Sequence, residues 1–133
     1  MALVVLDSSV VIAFLDPDDA LHEPAVPALT DHRHDELVIP ASVYAEILVG
    51  PYRRGSEAVA EVEAFRADLD VRVEAVTEAI ARAAARLRSG SRSLRLPDAL
   101  VIATADEIDA EKVLTGDASW AAISRRVTLV RSH

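Results

Sequence analysis

The 133-residue sequence contains no cysteine. Disulfide scaffolds, thiol nucleophiles and cysteine zinc sites are excluded together. Asn and Gln are both absent, and Lys112 is the sole lysine, so 13 of the 14 cations are Arg. Any phosphate contact is then made by guanidinium forks rather than by ammonium points. Long apolar runs are missing as well: none is longer than Val10 to Leu15, far short of the roughly 18 residues that signal a membrane helix. No membrane partner is expected. The start of the chain runs into Ala2 to Leu6 with no basic region and no small-residue cleavage site, so no signal peptide is predicted and the expected location is cytoplasmic.

The residues that remain are 51% hydrophobic and 27% charged, with 24 alanines and only 4% aromatics. This is the composition of a globular protein built from closely packed helices. The length suits one domain, residues 1–133, burying roughly two-thirds of the surface its unfolded chain exposes. The net charge of −8 argues against nucleic-acid binding by general electrostatics, which needs a basic face. An acidic protein that acts on phosphates needs metal ions or a local arginine cluster.

Short β-branched runs alternate with longer alanine-rich stretches, a pattern that predicts an α/β fold with a central parallel sheet of about five short strands between helices. The predicted strands are Leu3 to Leu6, Leu37 to Ile39, Val71 to Val73, Val113 to Thr115 and Val127 to Val130. Helices are predicted over Ser8 to Leu15, Asp19 to Asp31, Ala41 to Val49, Ser56 to Asp68, Glu74 to Ser89, Asp98 to Ile108 and Ala118 to Ser124. Gly50 with Pro51 is read as closing the third helix and Gly90 the fifth. Pro24 and Pro27 weaken the second. Ser89 to Pro97 reads as a solvent-exposed loop.

Four acids stand out against this frame. Asp7 follows the first strand directly and Asp117 comes two residues after the fourth. In an open parallel sheet, the carboxyl ends of strands face the ligand crevice, although each aspartate also suits an N-cap. Asp98 opens a helix, where its charge also meets the helix dipole favourably. Glu46 lies in the apolar stretch Pro40 to Leu48, where an acid calls for a partner or a role unless it sits on an exposed stripe. Oxygen-only ligands suit Mg²⁺ or Mn²⁺. Like charges about 4 Å apart repel by roughly 4 kcal/mol at an effective dielectric near 20, so gathered acids would either take up protons or bind a cation.

The segments LDSSVVIAFL, PASVYAEIL, LRLPDALVIATA and VLTGDASW, in that order and spacing, resemble the PIN-domain ribonucleases, and the short chain resembles the VapC-type toxins of toxin-antitoxin pairs. The resemblance implies a three-layer α/β/α PIN-like domain and metal-dependent hydrolysis of RNA, with Mg²⁺ or Mn²⁺ as cofactor. It carries the acidic quartet onto Asp7, Glu46, Asp98 and Asp117, with the hydroxyls of Ser9 and Thr115 in support. Asp7, Asp98 and Asp117 become the expected metal ligands. It further implies a VapB-type antitoxin as partner, received near the third and fourth helices and their Val43, Tyr44, Ile47, Leu48, Val59, Val62 and Phe65, and a homodimer. The family often has a further acid just after the last of the four; here the chain reads Ala118-Ser119-Trp120.

Arg92 and Arg95 precede Asp98, and Arg53 and Arg54 follow Glu46; Arg92 and Arg95 are candidates for bidentate contacts to RNA phosphate. His32 and His34 lack a third ligand at a useful spacing, His22 reads as a surface or packing residue, and Trp120 with Ile123 reads as core. Two non-catalytic readings stay open: a receiver-like module, disfavoured because Lys112 precedes its strand instead of following it, and a degenerate PIN domain that only binds RNA or protein.

Overall fold

The computed structural model describes residues 1–132. Five parallel strands, β1 (Leu3–Leu6), β2 (Glu36–Pro40), β3 (Arg72–Glu74), β4 (Lys112–Thr115) and β5 (Val127–Leu129), form one sheet in the order β3-β2-β1-β4-β5. Six helices cover it: α1 (Ser8–Leu15), α2 (His22–Thr30), α3 (Ala41–Arg54), α4 (Ser56–Leu69), α5 (Glu78–Gly90) and α6 (Leu96–Glu107). Right-handed crossovers place α1 to α4 on one face and α5 with α6 on the other. This is the three-layer α/β/α arrangement expected from the sequence.

Register fixes the position of the site. Val5 pairs with Val38 on one side and Val113 on the other, and Leu6 pairs with Leu114, so β1 and β4 end side by side. The chain leaves β1 toward β2 and leaves β4 toward β5 in the opposite direction. That reversal opens a crevice between their carboxyl ends, the place where ligands bind in open α/β sheets. Val4, Val5 and Leu6 are fully buried, as expected of a central parallel strand covered on both faces.

Several boundaries moved, each for a local reason. Helix α3 does not stop at Gly50-Pro51: it continues to Arg54 and ends at Gly55, whose φ of 126° is open to glycine. Pro51 is buried against α4, and tertiary packing overrides the proline's intrinsic preference. Helix α2 starts at His22 because Asp16 to Leu21 is folded by aspartate side chains: Asp18 N–H donates to Asp16 Oδ1 and Leu21 N–H to Asp19 Oδ1, both at 2.9 Å. Helix α5 starts at Glu78, where Thr77 Oγ1 accepts from Ile80 N–H at 3.2 Å, and Glu74 belongs to β3. Helix α6 begins at Leu96 with Pro97 in its first turn. The loop before it is anchored by Leu94, which is buried, and the last predicted helix is a 3₁₀ turn, Ala118–Ala122, that buries Trp120.

Candidate active site

Asp7 is placed by the end of β1 and held on all sides. Its Oδ1 accepts from Ser8 N–H at 2.8 Å, capping α1, while Oδ2 accepts from the hydroxyls of Ser9 and Thr115, both at 2.8 Å. Capping and site-building are therefore done by different oxygens of one carboxylate. The hydroxyls reach further: Ser9 Oγ accepts from Gly116 N–H and Thr115 Oγ1 from Asp117 N–H, each at 3.1 Å. Two parallel relays thus tie the backbone of the β4 turn to Asp7. Burial pushes the Asp7 carboxyl above the ordinary carboxylate range, against the pull of its three hydrogen bonds, and the charge of Asp98 adds to the rise.

Asp117 caps the 3₁₀ turn. Its Oδ1 accepts from Ser119 N–H at 2.9 Å and Ser119 Oγ–H at 2.6 Å, and these bonds hold its carboxyl below the usual range. Ser119 was not among the predicted residues; reading Asp117 as an N-cap implies the backbone bond but not the second one from the Ser119 hydroxyl.

Asp98 and Glu46 are far less tied. Asp98 lies in the first turn of α6, which starts at the same sheet edge, and its sole polar contact among the described residues is Arg95 Nε at 3.5 Å. Burial raises its pKa; Arg95 opposes this and Asp117 adds to it. Glu46, on the exposed side of α3, has no hydrogen-bond partner among the described residues. Partial desolvation raises its carboxyl, followed by the charges of Asp7 and Asp98, with Arg95 again opposing. The four candidate acids sit on four separate elements; Glu46 senses the charges of Asp7 and Asp98, and Asp98 senses that of Asp117. Arg95 is the cation that Glu46, Asp98 and Asp117 all sense.

This donor set fits a hard divalent cation: it is all oxygen, three of its members are destabilised as anions, and Asp98 and Glu46 keep lone pairs open to an ion. Among the described residues, no three carboxylates or histidines are drawn together tightly enough to hold an ion as they stand. Unneutralised like charges spread apart, and Mg²⁺ retains several waters, which lowers the number of direct ligands it needs.

Arg92 is exposed in the loop before α6 and makes no ion pair among the described residues. Val43, Ile47, Val62 and Phe65 are core residues. The groove beside them, about 450 Å³ between α1, α3 and α4, is lined in part by Ile12, Ile47, Pro51, Arg54, Glu61 and Glu46, so it runs into the acid site. His32 Nδ1 pairs with Asp35 at 2.7 Å and His22 Nδ1–H donates to Ala13 O at 2.7 Å, so each histidine has a structural partner. Lys112 begins β4 at the edge opposite the acids, which removes the geometry a receiver-like module needs. Among the described residues no helix is long and apolar enough to cross a membrane.

Comparison with known proteins agrees with this fold. The chain is similar in structure to a toxin-antitoxin complex from Klebsiella pneumoniae, at 21% identity and a TM-score of 0.75, covering 98% of this chain and 99% of that one. It is similar to VapBC2 from Rickettsia felis bound to a promoter DNA fragment, at 12% identity and a TM-score of 0.79, covering 97% and 99%. It is also similar to the sarcin-ricin loop cleaving toxin VapC20 of Mycobacterium tuberculosis, at 24% identity and a TM-score of 0.74, covering 91% and 95%. Among curated protein sequences no significant match is found. The PIN domain family model matches residues 4–126, a stretch that includes all four acids, and the chain accordingly belongs to the PIN domain family.

Proposed function

We propose that this chain is an endoribonuclease that hydrolyses RNA phosphodiester bonds with Mg²⁺ or Mn²⁺ and acts as the toxin of a toxin-antitoxin pair. The observation that carries the reading is the convergence of Asp7, Glu46, Asp98 and Asp117 on the β1/β4 crevice, with three of the four carboxyls raised. Asp7, Asp98 and Asp117 would hold the ion directly or through water. A bound divalent ion makes water a better nucleophile and neutralises charge growing on the scissile phosphate.

The chain's own residues supply the rest. Ser9 and Thr115 fix Asp7 Oδ2, so that ligand does not reorient during the reaction. Glu46, unbonded and with a raised pKa, is the group suited to orient the attacking water and take its proton as the water oxygen bonds to phosphorus and the leaving oxygen departs. Arg95 and Arg92, at the entrance to α6, hold the flanking phosphates, which gives an acidic protein a local grip on RNA. The groove that ends at Glu46 receives the partner: three acids line it, Asp16, Glu46 and Glu61, against the single cation Arg54, over an apolar floor. That chemistry fits a VapB-type antitoxin segment with basic and apolar side chains. The working form is a cytoplasmic homodimer.

The absence of an acid at Ala118-Ser119-Trp120, with Trp120 packed in the core, favours a second reading in which the domain binds RNA or protein without cutting it. One experiment separates the two. Purified protein is incubated with RNA and Mn²⁺ or Mg²⁺, with a chelator and with Asp98→Ala as controls. Cleavage lost in both controls supports the nuclease; a folded protein that binds Mn²⁺ and leaves RNA intact supports the second reading.

A further inference from the structure

The β4 turn that carries Asp117 is braced on its outer side by a residue outside the acidic quartet and its hydroxyls. A Cβ built on Gly116 would lie 2.5 Å from Leu21 Cδ1, and 3.5 Å from Ser9 Oγ. Real Cβ atoms do not approach that closely, so a side chain at position 116 would require Leu21 Cδ1 to move. Glycine fits at position 116 because the Leu21 side chain stands where a Cβ would go.

Leu21 has limited freedom to yield. Its backbone is fixed by the Asp19 Oδ1 bond to its own N–H at 2.9 Å, and the next residue, His22, is tied to Ala13 O at 2.7 Å. Its side chain packs against the core. On the other side of the turn stand the two hydroxyl relays, Ser9 to Gly116 N–H and Thr115 to Asp117 N–H. The turn is therefore clamped between a leucine methyl and two hydroxyls, and only the leucine side has no hydrogen bond to restore it once displaced.

We infer that Leu21 is a positioning residue of the acid site: by filling the volume beside Gly116 it seats the turn's N–H groups on Ser9 and Thr115, and so fixes Asp117 relative to Asp7. The inference rests on the proposed metal site for its functional consequence, while its steric part stands by itself. Sizes at positions 21 and 116 are then coupled, and a side chain added at 116 is tolerated only when one is removed at 21.

The test is a double-mutant cycle in the full chain: wild type, Gly116→Ala, Leu21→Ala and the pair together. Two readouts are taken, hydrogen exchange of the Asp117 amide without metal, and Mn²⁺ affinity by calorimetry, with Tm as the control for general stability. Gly116→Ala should speed Asp117 exchange and weaken Mn²⁺ binding by about tenfold, in the range seen when groups supporting a metal ligand are disturbed. Leu21→Ala should weaken it by about two- to threefold, and the pair should recover to within about threefold of wild type. A pair whose defects add, or a Gly116→Ala protein indistinguishable from wild type because Leu21 swings aside, overturns the inference. Should Gly116→Ala fail to fold, Leu21→Phe, which enters the same volume from the loop side, is expected to reproduce its losses; unchanged exchange in that variant also overturns the inference. A wild type that binds no Mn²⁺ contradicts the proposed metal site, and Asp117 exchange alone then decides the role of Leu21.

Discussion

The two halves of the acid site are built on opposite terms. On the β1/β4 side, Asp7 is 6% exposed and accepts three hydrogen bonds, and Asp117 accepts two. On the helix side, Asp98 has one long contact to a largely exposed arginine and Glu46 has none among the described residues. Groups held by several hydrogen bonds are preorganised, whereas those with few partners are free to follow an ion or a substrate. A rigid floor and a mobile rim is the division of labour this suggests: the floor fixes where the cation goes, and the rim adjusts to the phosphate.

Breaking the floor should do the most damage. Asp7→Ala removes a ligand and the shared acceptor of both relays, and RNA cleavage should fall by at least about a thousandfold while the circular dichroism spectrum persists; substantial cleavage by the folded variant would place the chemistry elsewhere. Asp98→Asn should lower the initial rate by about a hundredfold or more, and it also separates chemistry from stability. Because the folded Asp98 carboxyl is raised, its contribution is fully present below the ordinary carboxylate range and is lost as pH rises through the raised value. Metal-free Asp98→Asn should thus melt higher than wild type at neutral pH, with the difference closing in acid; thermal scans across pH check the sign.

The supporting hydroxyls come next. Thr115→Val keeps the shape of a buried residue but leaves Asp117 N–H without its acceptor, so Mn²⁺ affinity should drop by about 10- to 100-fold. The rim arginine should matter least. Arg95→Gln is expected to reduce the salt dependence of RNA binding by about one phosphate contact, with a much smaller effect on cleavage at saturating RNA; an unchanged salt slope would assign Arg95 to the acids alone.

Much of the fold was legible before the structure. Strand β1 and helix α1 have the predicted bounds because β-branched residues give way to an aspartate cap at one point in the chain. The four acids were singled out from the sequence as candidates, and the order of strands places the ends of β1 and β4, with Asp7 and Asp117, side by side. The misreadings share a cause. Pro51 and Leu94 are both buried by tertiary packing, and local punctuation carries no record of that. The Leu21 contact with Gly116 joins residues 95 positions apart, and neither has a chemical group that draws attention. Spacing found the groups that bear charge, while the groups that only occupy space needed coordinates.

The most direct test of a single ion-binding site is calorimetric titration of Mn²⁺ into wild type and Asp98→Ala at about pH 5, near the ordinary carboxylate range, in buffers of different ionisation enthalpy. Saturable binding that releases protons from the raised carboxyls is expected, with affinity sharply reduced in the variant. Binding that releases no proton and is indifferent to Asp98 would contradict such a site.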